Sequence, residues 1–199
     1  MPRKPRCARC QGDLPVSAST GRPRRYCSDA CRKAAYRARS RRARSVRSAW
    51  WTPTDLAARV STEHALGLDA AACPTSTLVP DNWLGPEHLD ENRRDALTSP
   101  LWASLTPVGS TVWLNPPYKP VNVLRAFLAR AVETADAGTP VLALLPASTS
   151  SQWWHELVVE QGASVEFLRG RLAYGGPHAT GGVAPWPSAL VHYRAAVTD

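Results

Sequence analysis

No run of about eighteen apolar residues occurs anywhere in the chain, so a membrane-crossing helix is not expected. The first residues are rich in arginine but lack the apolar stretch of a secretory signal, which leads to the expectation of a cytoplasmic protein. No histidine falls within residues 1–48, which removes one common class of metal ligand from that segment. The chain is also too short for two full-sized domains: 199 residues with 44% hydrophobic content can bury one ordinary core and one small appendage.

The net charge of +8 is unevenly spread. Residues 1–48 carry fifteen of the 24 basic side chains against only Asp13 and Asp29, a local net of +13. The remainder holds nine basic and fourteen acidic residues, a net of −5. Attraction to phosphate therefore belongs to the N-terminal quarter. We expect two parts: a zinc-binding basic module with a basic helix or linker over 1–48, and a second domain over 49–199.

Four of the five cysteines, Cys7, Cys10, Cys27 and Cys31, form a C-x2-C pair and a C-x3-C pair. Two thiolate pairs on separate turns can close a tetrahedron around zinc, and in a reducing compartment this pattern favours metal over disulfides. A segment with so few large apolar residues needs such a staple to fold. With four cysteines as ligands no coordination position stays open, so the expected Zn2+ is structural.

Ser28 and Asp29 read as a helix start, and the glycine- and proline-free run that follows predicts a helix from about Ser28 to Arg47. Arg32, Lys33, Arg37, Arg39, Arg41, Arg42, Arg44 and Arg47 fall on all its faces. Such a segment is either a solvated basic linker or an element laid along a nucleic-acid backbone. The run YCSDACRKAAYRAR resembles the ends of short zinc modules found in many bacterial and phage proteins.

Beyond Trp50 strand and helix signals alternate. Thr52 is expected to cap a helix with Pro53 at its first position and Leu56 and Val60 on one face. Strands are expected at 65–70, 111–114, 141–145, 165–168 and 189–193. Leu124, Phe127, Leu128 and Ala131 make the stripe of a helix ending near Gly138, and 151–160 reads as a further helix. Strands alternating with helices predict an α/β fold around a mostly parallel sheet, with ligands at the carboxyl ends of the strands.

Asn115-Pro116-Pro117-Tyr118 directly follows the expected strand TVWL. An exocyclic amine is a poor nucleophile because its lone pair is delocalised into the ring. Two acceptors holding its N–H groups relieve this, and the Asn115 side-chain oxygen and the Pro116 carbonyl are suited to the task. The two prolines stiffen the backbone, and Tyr118 offers a flat face for a planar substrate, so that Tyr118→Phe is expected to be mild. The alternative is a rigid proline turn.

The segments WWTPTDL, LDAAACP, RDAL, VWLNPPY, LLPASTSSQWW, RGRLAYG and APWPSAL, in this order over about residues 50–194, resemble the phage-type DNA N6-adenine methyltransferases called Dam. The resemblance implies a Rossmann-like, S-adenosylmethionine-dependent methyltransferase, phage- or prophage-encoded, acting on double-stranded DNA with the target base flipped, without a membrane or an obligate protein partner. It implies that Asn115 to Tyr118 hold the base. Trp51, Thr52 and Pro53 would hold the amino-acid end of the cofactor, Asp69 its methionine or ribose part, Asp95 its adenosine part, with Asn115 adjoining both ligands. Asp69 could also cap a helix, and Asp95 could be a surface acid. Where many methyltransferases carry F-x-G-x-G, this chain reads LDAAACP.

Cys73 reads as a small buried or loop cysteine without a nucleophilic role. Trp153 and Trp154 read as core or as lining of the substrate mouth. The stretch Gly170–Pro187, with Arg171, Tyr174 and His178, is long for a connection and is expected to face DNA through Arg171. The chemistry of NPPY also suits RNA or a protein glutamine, and a zinc-containing DNA-binding protein that has lost activity is a further alternative.

Overall fold

Among the described residues, short apolar runs form five strands: β1 (Leu66–Asp69), β2 (Thr111–Leu114), β3 (Val141–Pro146), β4 (Ser164–Phe167) and β5 (Ser188–Tyr193). The structure, a computed structural model, describes residues 5–14, 24–35, 50–176 and 182–196. The chain divides into two compact units, Met1–Arg47 and Ser48–Asp199.

In the larger unit the strands form one sheet in the order β1-β2-β3-β5-β4. β1, β2 and β3 run parallel. β5 is antiparallel to both β3 and β4 and lies between them. Four of these five strands therefore point the same way, as a mostly parallel sheet requires, and β5 is reversed. A helical crossover brings β4 back parallel to β3, leaving a gap between them. The return from β4 contains no helix among its described residues and feeds β5 into that gap in the opposite direction. All six residues of β3 are buried, as expected of a strand covered on both faces.

The longest helices among the described residues are α1 (Thr54–Glu63) and α2 (Val121–Asp136). The expected stripe of α2 is buried, Leu124, Phe127, Leu128 and Ala131 all facing the core, and Gly138 just past its end takes a left-handed φ of +87°. Helix α3 (Gln152–Trp154) continues as a π turn (His155–Val159). Trp153 and Trp154 are buried in the core cluster, which decides between their two readings. Among the described residues no helix is long and apolar enough to cross a membrane.

Residues 82–84 add a short parallel edge beside β1. The N–H of Asp69 donates to Asn82 O, and that of Leu84 to Asp69 O. The Asn82 side chain clips this edge down, donating to the carbonyls of Gly67 (2.6 Å) and Leu105 (2.7 Å) while accepting from Arg93. Gly85 is required here: a Cβ on it would lie 2.0 Å from the carbonyl oxygen of Ala72.

Candidate active site and metal centre

The three parallel strands end on one edge of the sheet. Asp69 pairs with Trp113, and Asn115 follows directly after Leu114, so both polar residues stand at the carboxyl ends of neighbouring strands. Pro146 at the end of β3 pairs with Ser188 at the start of β5, which brings Ser188 to the same edge.

Asn115 is half-buried and fixed by three internal hydrogen bonds. Its Nδ2 donates to the carbonyl of Trp50 at 2.7 Å and to Thr52 Oγ1 at 3.2 Å. A carbonyl can only accept, so the nitrogen of the amide faces Trp50 and the oxygen faces the other way. That oxygen accepts the Tyr118 hydroxyl at 2.8 Å. Carboxamide oxygens have two lone pairs, so Oδ1 retains one for a further donor.

Tyr118 is buried, its ring edge-on to Tyr174 and to Trp186. The exposed stacking face expected of it is therefore absent in this structure, and its hydroxyl makes the polar interactions instead. That hydroxyl lies 3.2 Å from Leu144 O and 3.1 Å from the Tyr174 hydroxyl. Burial pushes the Tyr118 phenol well above its usual value, reinforced by the charge of Tyr174 in its ionised form. Pro116 is buried beside it and Pro117 half-buried.

The WWTP segment departs from the expected helix cap. Trp51 exchanges backbone hydrogen bonds with Gly175, 3.1 and 3.0 Å long. Pro53, not Thr52, occupies the cap of α1, and no side chain caps that helix. The Thr52 hydroxyl is free of that duty because it meets Asn115.

Both candidate cofactor acids are engaged with their own loops. The Asp69 carboxylate accepts the N–H groups of Leu78 (2.9 Å) and Ala71 (3.3 Å), closing the loop after β1. Burial pushes its carboxyl up to about 6 against these hydrogen bonds. Asp95 is exposed, and its carboxylate accepts the N–H of Leu97 at 3.0 Å. Cys73 sits half-buried with its thiol 3.2 Å from the Ser76 hydroxyl.

The described residues of the loop after β4 are tied to the domain by specific contacts. Ala184 N–H donates to Leu172 O at 2.8 Å, and Tyr174 is buried with its hydroxyl 3.1 Å from Ser188 Oγ. Arg171 is exposed, and His178 lies outside the described residues.

In the smaller unit Cys7, Cys10, Cys27 and Cys31 converge, their sulfurs all within 4.8 Å of one another. The first pair sits on a tight turn: Cys7 N–H donates to Gly12 O, Gln11 N–H returns to Cys7 O, and Gln11 takes a φ of 59°. Ser28 caps the helical segment 29–35, its hydroxyl accepting the Cys31 N–H at 3.2 Å. Cys10 and Cys27 sulfurs are 3.5 Å apart, as are those of Cys27 and Cys31. A tetrahedral zinc with bonds of about 2.3 Å needs sulfur separations of about 3.8 Å, which this cluster brackets. The backbone N–H of Cys10 foremost holds the Cys7 thiol down to about 6, whereas the neighbouring thiols of Cys31, then Cys10 and Cys7, push Cys27 up to about 12. Four thiols this close do not all ionise without a cation among them. Arg32 and Lys33 are exposed, Arg32 pairing with Asp29 at 3.1 Å. Arg37, Arg39, Arg41, Arg42, Arg44 and Arg47 lie outside the described residues.

Residues 39–184 match the family described as DNA N-6-adenine-methyltransferase (Dam), nearly three quarters of the chain. The chain belongs to the Dam family. It is thereby a DNA (adenine-N6)-methyltransferase, and NPPY, the Trp50–Thr52 segment and Tyr174 all fall inside the matched region. No curated protein and no solved structure matches this Dam family chain.

Two residues of this candidate site show no signal in the sequence. Trp50 acts through its carbonyl, which no side-chain pattern reveals. Ser188 is one serine in a turn-like PWPS run, and only the register of β5 brings it to the site.

Proposed function

We propose that this Dam family chain transfers a methyl group from S-adenosylmethionine to N6 of adenine at specific sites in double-stranded DNA. The observation that carries this reading is the held carboxamide of Asn115, with both N–H groups satisfied inside the protein and one lone pair of Oδ1 unfilled. That lone pair would accept one N–H of the target amine, and the Pro116 carbonyl the other. Holding both protons draws the amine out of conjugation and raises the nucleophilicity of N6. The base is flipped out of the duplex to reach this edge.

S-adenosylmethionine, when bound, supplies the methyl group as an electrophile. In a Rossmann-like reading of the sheet the cofactor occupies the crevice at the carboxyl ends of β1 and β2. Trp51, Thr52, Pro53, Asp69, Asp95 and Asn115 remain our candidates for it, with Asp69 acting by shaping the loop after β1. Cys7, Cys10, Cys27 and Cys31 would hold a structural zinc. The domains would then be 1–48, zinc-binding and basic, and 49–199, catalytic. Arg32, Lys33, Arg37, Arg39, Arg41, Arg42, Arg44 and Arg171 would meet phosphates.

The test is incubation with tritiated S-adenosylmethionine and equal amounts of duplex DNA, RNA or protein, followed by nucleoside analysis. N6-methyladenosine in the deoxy form supports the reading. Label only in RNA or protein, or none at all, overturns it.

A further inference from the structure

Asn115, Tyr118, Tyr174 and Ser188 form one continuous line of hydrogen-bonding groups. Asn115 Oδ1 lies 2.8 Å from the Tyr118 hydroxyl, which lies 3.1 Å from that of Tyr174, in turn 3.1 Å from Ser188 Oγ. Tyr118, Tyr174 and Ser188 are buried, exposed by 7, 4 and 1%. The three hydroxyls come from three parts of the chain: the turn after β2, the loop after β4, and the first residue of β5.

Each hydroxyl has one proton, and the end of the line can only accept. Two pure acceptors, Asn115 Oδ1 and Leu144 O, compete for the Tyr118 proton at 2.8 and 3.2 Å. Tyr174 offers that proton a third destination unless it is itself the donor. Ser188 Oγ has Tyr174 as its side-chain partner, and donation from Ser188 turns the Tyr174 proton toward Tyr118. The sequence Ser188 to Tyr174 to Tyr118 to Asn115 is the arrangement in which each bond polarises the next and the shortest one is satisfied. Burial raises the Tyr174 phenol as well as that of Tyr118, so both keep their protons through the neutral range.

We propose that Tyr174, backed by Ser188, is a positioning residue of methyl transfer, directing the Tyr118 proton onto Asn115 Oδ1 and thereby fixing the one lone pair left for the adenine amine. The proposal rests on the role given to Asn115 above. It makes Tyr174 a determinant of the chemical step and not of DNA affinity.

Single-turnover methylation at saturating DNA and cofactor tests it with Tyr174→Phe, Tyr118→Phe, their double variant, Ser188→Ala and Asn115→Ala. Tyr174→Phe keeps the ring packed edge-on to Trp50 and Tyr118 and removes one hydroxyl. Its rate is expected to fall roughly threefold to tenfold, the size of one neutral hydrogen bond, with KM for DNA changed by less than about twofold. Because Tyr174 acts through Tyr118, the double variant is expected to be no slower than Tyr118→Phe alone. Ser188→Ala, which leaves both rings untouched, is expected to slow the same step by a smaller factor. A parental rate in both Tyr174→Phe and Ser188→Ala, or losses that multiply in the double variant, would overturn the relay while a slow Asn115→Ala left the active-site reading standing. A parental rate in Asn115→Ala would remove that reading and the relay with it.

Discussion

Asn115 and Tyr118, three residues apart on one turn, are joined side chain to side chain by a hydrogen bond of 2.8 Å from the tyrosine hydroxyl to Oδ1. A stacking ring alone would tolerate loss of that hydroxyl. In this geometry Tyr118→Phe frees Oδ1 to turn and removes the hydroxyl that lies 3.2 Å from Leu144 O. The variant is expected to fold and to methylate roughly threefold to tenfold more slowly, as one lost neutral hydrogen bond implies. Single-turnover rates check this, and a rate equal to the parent would return Tyr118 to the purely stacking role.

The metal prediction follows from the sulfur cluster. Protein purified without chelators is expected to contain one zinc per chain, and Cys31→Ser to lose most of it, because the first turn of the helical segment supplies that ligand. A site that contributes folding free energy outright should also lose cooperative unfolding of the N-terminal unit on chelation. Elemental analysis showing no zinc in the parent would contradict the assignment.

Asp69 gives a pH dependence of definite sign. Its carboxyl is raised in the folded protein from 3.8 to about 6, so the native state holds the proton more tightly than the unfolded chain. The associated stability is present below pH 3.8 and is lost as pH rises to about 6, for a total of about 3 kcal/mol. Asp69→Asn removes the ionisation and is expected to flatten the stability profile across that window, although one backbone N–H loses its acceptor. Denaturant midpoints of parent and variant from pH 4 to pH 7 measure it. An unchanged slope would show that Asp69 is not the titrating group.

Charge patterning yields a separate expectation for DNA binding. Replacing Arg37, Arg39, Arg41, Arg42 and Arg44 by glutamine should lower the dependence of log affinity on log salt by about 0.9 for each phosphate that is no longer neutralised. The methylation rate at saturating DNA should stay close to the parental value. Binding isotherms at several salt concentrations test this, and an unchanged slope would make the segment a solvated linker.

Much of the scaffold was legible because period and burial agree. The stripe of α2 and the all-apolar β3 announce themselves, and NPPY needs only the preceding strand to be located at a sheet edge. The four cysteines carry their meaning in their spacing. Other features were illegible for physical reasons. Whether β5 runs parallel or antiparallel depends on a connection rich in glycine and proline, which carries no strand or helix period. Tyr174 sits in that connection and reads as part of a DNA-facing loop, yet it is buried because its ring packs against Trp50 and Tyr118. Thr52 has the chemistry of a helix cap, and a side-chain amide 63 positions away competes for its hydroxyl. The Asp69 and Asp95 carboxylates also accept N–H groups of their own loops, a use that their places in the sequence do not announce.

The most direct measurement is the single-turnover rate of Asn115→Ala on duplex DNA with saturating S-adenosylmethionine. The substitution removes the acceptor oxygen without adding charge, and its fold and DNA affinity should match those of the parent. Methylation of adenine N6 is expected to fall by about 10²–10³, the effect of losing one group that stabilises a transition state through hydrogen bonding. Methylation at the parental rate would contradict the central role given to the Asn115 oxygen.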